Sequence, residues 1–108
     1  MTRTDLRKKA LNAIYAALIQ QNAHIDYDPT AILLGEFSCD DPSEIDLFSR
    51  EIFVSALQHQ QEIVEQVQKY LKKWKFNRLN TIAQAIFLEA ISEVTYCQLT
   101  DKVVVINC

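Results

Sequence analysis

Nine of the eleven Lys and Arg side chains fall in two clusters, four at Arg3, Arg7, Lys8 and Lys9 and five at Lys69, Lys72, Lys73, Lys75 and Arg78. The whole chain carries a net charge of −3, so contact with a polyanion by bulk charge is excluded and only a local patch could supply it. The first cluster opens a helix, where each cation opposes the macrodipole by roughly 0.3–1 kcal/mol. Beside unpaired N–H groups, such cations make a seat for phosphate. The alternative is a solvated face with Asp5 as its internal partner, and the residues alone leave both open. The second cluster follows a helical pattern, at a C-terminal end where positive charge is favoured in any case. Trp74 among these cations could stack on a base, but it also continues the stripe Ile63, Val67, Tyr70, Leu71, which predicts a core position.

Other reactive side chains form no constellation. His24 and His59 read as isolated residues on polar faces, and no Ser or Cys stands at a nucleophile turn. Cys39, Cys97 and Cys108 are odd in number and lack a CxxC pair, which predicts free thiols in a reducing compartment. No metal motif appears in the His and Cys spacing. Glu89 and Glu93, four apart on one helical face, are expected to cap, pair or solvate that face. The expectation is a non-enzyme without metal or cofactor. No apolar run reaches the roughly 18 residues of a membrane span, which predicts a cytoplasmic protein with no membrane contact.

The elements that position these residues are helical. One Gly and two Pro among 108 residues leave little material for hairpins, so the fold class expected is all-α. Leu6, Ala10, Leu11, Ala13, Ile14, Ala17 and Leu18 mark one face of a helix over residues 4–21, with Thr2 and Asp5 as a capping box. Residues 22–42 hold both prolines and the glycine; TAILLGEF within them reads as a short helix or an apolar loop in a connector. A second helix is expected after Pro42 with Ser43 as its cap and Asp46 at its third position. The pattern lapses at QHQQ and resumes to Trp74, predicting two helices with a break near His59. Asn80 or Thr81 caps a further helix whose apolar positions, from Ile82 to Val94, nearly encircle it, which predicts burial on most sides. The last seven residues, KVVVINC, read as the first turns of one more helix packed against that apolar run.

Three segments together resemble a known family. RKKALNAIY (7–15) is similar to the first-helix signature of the NusB family of transcription antitermination factors, WKFNRLNTIAQAIFLEAISEV (74–94) to its central segment, and VVIN (104–107) to the start of its penultimate helix. The resemblance implies an all-α, NusB-like helical bundle of about five to six helices with the last ones missing. It also implies one domain over 1–108, made of an N-terminal helical subdomain (1–75) and an incomplete C-terminal one (76–108). It further implies RNA binding of the boxA type, jointly with a small-subunit ribosomal protein also called NusE, within the transcription elongation complex. By position, Arg7 and Lys8 match the RNA-contacting start, Arg3 and Lys9 are their neighbours, and Tyr15 matches the helix's aromatic position. Asn77, Ala83 and Gln84 fall in the region that meets the ribosomal partner.

The chain departs from the family at Ala83, Gln84 and Leu88, where an acid, a basic residue and a second Arg are usual, and at Cys108, where Glu is usual. A truncated or diverged relative is therefore expected. A competing expectation is a helical protein–protein module, homodimeric or partner-bound, without an RNA role. A third is the RNA-binding appendage of a ribosomal RNA methyltransferase.

Overall fold

A computed structural model describes residues 1–99. The expected capping box begins α1 (Arg3–Asn22): Thr2 Oγ accepts from the Asp5 N–H at 3.1 Å, and the Asp5 carboxylate accepts from the Thr2 N–H at 3.2 Å. Ala10, Ala13, Ile14 and Ala17 are fully buried on it, and the small alanine side chains let neighbouring helices approach its backbone. TAILLGEF is a helix, α2 (Pro29–Phe37), with Pro29 at its first position and Asp28 accepting from the Thr30 N–H. The αL residue that ends α2 is Ser38, with φ of 52°.

The next helix starts later than its sequence suggests. Asp41 caps a single 3₁₀ turn, Pro42–Glu44, and α3 (Leu47–Gln58) is capped by Asp46, which accepts from the Phe48 N–H at 2.8 Å. Ser43 is therefore not the cap. Pro42 and Ser43 are taken up by the tight turn, and Asp46 is the next side chain able to satisfy the helix's free N–H groups. His59 ends α3 and begins α4 (Gln60–Gln68), so the expected break is there.

The helix does not continue to Trp74. Beyond α4 the chain runs through a loop and a 3₁₀ turn, Phe76–Arg78, to α5 (Thr81–Thr95), whose Asn80 cap accepts from the Ala83 N–H at 2.8 Å. α5 lies against α1 and α3, and α2 lies on α1, so α1 is the shared inner element of one core. Two buried serines stitch it: Ser49 donates to the Leu6 carbonyl and Ser92 to the Ile52 carbonyl, each at 2.7 Å. Burial of α5 on most sides does not hold. Ala85, Leu88, Ser92 and Glu93 are buried, whereas Ile82, Ile86, Phe87 and Val94 lie on an exposed side. Composition sets how many apolar residues a helix carries, but not how many of its sides have neighbours. KVVVINC lies outside the described residues.

Candidate nucleic-acid interface

The first basic cluster occupies the opening turns of α1, but its four cations point in different directions. Arg7 reaches across to α5, where its Nε donates to both carboxylate oxygens of Glu93 at 2.8 and 2.9 Å. Glu93 is buried, so the pair holds α1 to α5 in a partly water-excluded place where its charges are strong. The Arg3 guanidinium lies 4.0 Å from the centroid of the Phe48 ring, with Arg7 also facing that ring at 5.6 Å. Lys9 turns to α2: its Nζ donates to the Glu36 carbonyl at 3.0 Å, in the last turn of that helix, and sits 5.4 Å from the Phe37 ring. Lys8 stays in solvent and, with the Thr2 hydrogen bonds as the larger cause, helps hold the Asp5 carboxyl below its usual range. Seven residues on, nearly two turns, Tyr15 shares the exposed face of Lys8.

Glu89 joins the Arg7–Glu93 pair. Burial, then a hydrogen bond with Glu93 and the charge of that neighbour, push its carboxyl up to about 8, against a smaller opposing pull from Arg7. At neutral pH Glu89 therefore keeps its proton, beside the Glu93 carboxyl group that meets Arg7. Of the three expected roles for the two acids, to cap, pair or solvate their face, pairing is the one found.

In the second cluster the cations stay outside. Lys69, Lys72, Lys73, Lys75 and Arg78 are exposed, and none is ion-paired with another described residue. The loop that carries them is held by one side chain, Gln68, whose Nε2 donates to the carbonyls of Leu71 (3.2 Å) and Trp74 (2.9 Å) while its Oε1 accepts from the Phe76 N–H (2.8 Å). Phe76 is buried and near Phe87, anchoring the loop's far end. Trp74 is 66% exposed and Tyr70 84% exposed, so the expected core position of Trp74 is not found. Its apolar stripe is helical only as far as Gln68, and past that point the side chain is turned outward.

Neither is His59 isolated. Its ring stacks on Tyr96 with centroids 3.9 Å apart and planes 2° from parallel, and Glu62 accepts from the Tyr96 hydroxyl at 3.1 Å. Cys39 is a free thiol at a half-buried position, and Cys97 is buried. Among the described residues no group of three or more His, Cys, Asp or Glu could hold a metal ion, and no helix is long and apolar enough to cross a membrane.

The NusB family model matches residues 4–108. The chain belongs to the NusB family. It is similar to a protein named transcription antitermination protein NusB from Ligilactobacillus salivarius, 33% identical over 107 residues, which cover 97% of this chain and 78% of that protein. Proteins of the same name from Finegoldia magna and Bacillus subtilis are each 28% identical; the first match covers 99% of this chain and 75% of the relative, the second 91% and 69%. No solved structure matches the sequence.

In this NusB-family chain, the three residues expected at a protein contact gather at the N-terminal end of α5. Asn77 is exposed in the 3₁₀ turn, Ala83 lies in the first turn of the helix, and the Gln84 side chain donates to the Leu79 carbonyl at 2.9 Å. The Arg7–Glu93 pair spans 86 positions of sequence, and nothing local foretold it. The available signal was the mismatch of two Glu on a largely apolar helix with a surplus of cations on α1.

Proposed function

We propose that this chain is an RNA-binding, non-enzymatic transcription antitermination factor that engages boxA-like RNA together with the small-subunit ribosomal protein NusE in the elongation complex. Family membership and the names of its relatives support the antitermination role. The observation that carries RNA contact is the exposed strip of α1, on which Lys8 can meet a phosphate while Tyr15, 38% exposed, offers a ring face to a base. Arg3 is the second outward cation of this end. Arg7 and Lys9 belong to the same positive end and add to its field, although each already has a partner on another helix. Asn77, Ala83 and Gln84 are the proposed contact with the ribosomal protein.

The test is binding of a boxA-containing single-stranded RNA across a salt series, for the parent and for Arg3→Ala with Lys8→Ala. Removing two cations that meet phosphates should flatten the slope of log K against log salt by about 1.4, at roughly 0.7 per phosphate for a single strand. No binding at low salt would overturn the RNA role. A second reading, a protein–protein module, is favoured by the exposed Ile82, Ile86, Phe87 and Val94 on α5, since such a patch recruits partners. Light scattering after size exclusion at several concentrations separates the two, because a homodimer through this face would appear as a concentration-dependent mass.

A further inference from the structure

We infer that the loop over residues 69–78 is a second contact for single-stranded RNA, in which Trp74 and Tyr70 stack on bases and Lys72, Lys73 and Lys75 meet phosphates. The inference rests on the RNA reading above and extends it to a surface at the other end of α5. The same side chains could have belonged to a helix, with the aromatics in a core and the lysines merely favouring its C-terminus. The structure removes that explanation, because α4 ends at Gln68 and both aromatics are more than half exposed. Leaving an indole in water has an unfavourable hydration term that folding normally avoids, and here the loop is held in the arrangement that does so.

Three features fit a single strand better than another occupant. The cations outnumber the acids five to none over the ten residues 69–78, in a chain whose net charge is −3, so the surface is locally matched to a polyanion. Aromatics interleave with those cations, which is the composition of sequence-tolerant single-strand surfaces, where bases stack and the backbone is tracked by charge. A duplex keeps its bases stacked on one another and would leave both rings idle. The Gln68 amide fixes three backbone points of the loop before any ligand arrives, so little ordering cost remains at binding.

Position supports a shared strand. The loop precedes the N-terminal end of α5, whereas Arg7 meets α5 at Glu93, twelve residues along the helix. At about 1.5 Å per residue the two basic ends are separated by roughly 18 Å along the axis, a span that a few nucleotides of extended strand can bridge. The α1 end and the loop then grip different parts of the same RNA.

Trp74 is the sole tryptophan, so its fluorescence reports directly on this surface. Intact protein is titrated with a short single-stranded oligo-uridylate, the same length of RNA duplex, and poly-glutamate, each across a salt series. The expected result is saturable quenching by the single strand, weaker effect of the duplex, and little effect of poly-glutamate. Trp74→Ala, followed by anisotropy of a labelled RNA, should weaken binding about ten-fold. Lys72→Ala, Lys73→Ala and Lys75→Ala together should flatten the salt slope by about 2. RNA binding with unchanged fluorescence and unchanged affinity in these variants overturns the loop contact and leaves the α1 reading standing. Equal quenching by poly-glutamate overturns it in favour of an acidic protein partner. Absence of RNA binding by the parent overturns both.

Discussion

Arg7 and Lys9 direct their charges into the molecule, onto Glu93 of α5 and the Glu36 carbonyl of α2, whereas Lys72, Lys73 and Lys75 direct theirs to solvent. The two clusters look alike as strings of cations, and the difference lies in what stands opposite each. The α1 end faces three other helices, one of which presents a buried carboxylate, so cations there serve the fold as well as any ligand. Among the described residues no carboxylate pairs with the loop's cations, so no ion pair there holds the fold. A positive cluster that is held by the protein is part of its structure, and one that is not held is available to a partner.

The largest expected effect comes from breaking the held cluster. Arg7→Ala removes the cation that meets the buried Glu93 and should cost about 3 kcal/mol in a urea unfolding experiment. Replacing both members, Arg7→Met with Glu93→Met, should recover most of that loss, because the uncompensated charge is gone. RNA affinity of this double variant then measures any direct part played by Arg7, separated from its part in folding.

Glu89 gives the next effect. Its carboxyl rises from an ordinary 4.5 to about 8 in the folded protein, so between those values the folded state holds a proton that the unfolded state releases. The contribution of Glu89 to stability is therefore fully present below about pH 4.5, falls as pH rises through this window, and is lost above about pH 8. The full shift would be worth about 4–5 kcal/mol by linkage; partial solvent screening of the site reduces the expectation to about 2 kcal/mol. Glu89→Gln keeps a neutral donor toward Glu93 and should flatten the stability profile measured between about pH 5 and pH 8.

Ser49→Ala removes the hydroxyl that seats α3 on the Leu6 carbonyl beside the held cluster, and should cost about 1 kcal/mol. The smallest effects belong to the loop: Lys72→Ala, Lys73→Ala and Trp74→Ala should each change thermal stability by less than about 0.5 kcal/mol. A loss at Trp74 as large as that at Arg7 would erase the contrast between the clusters.

Local signals were legible in the sequence and partner signals were not. Thr2 with Asp5, Asn80, and the lapse at His59 are short-range features whose hydrogen bonds lie within a turn, and each appears where the residues place it. Ser43 failed against Asp46 because two competent caps three apart compete, and Pro42 settled the matter by drawing Ser43 into a tight turn. Trp74 failed because periodicity continues past the point where a helix stops, and no Gly or Pro marks the stop after Gln68. The face of α5 left exposed, and the choice of Glu93 as the partner of Arg7, depend on which helices meet, which one sequence does not encode locally. The basic end of α1 was visible as a cluster; that its members divide between holding helices and facing solvent was not.

Gln68 bonds the loop at Leu71, Trp74 and Phe76 with a single amide, so those three bonds form and break together. Gln68 is then a latch beside the Phe76 anchor, and its release frees three points of the loop. The Phe76 N–H, which is bonded to that amide, becomes its clock: its hydrogen-exchange rate reads how often the latch lifts, and a strand lying across the loop should slow it.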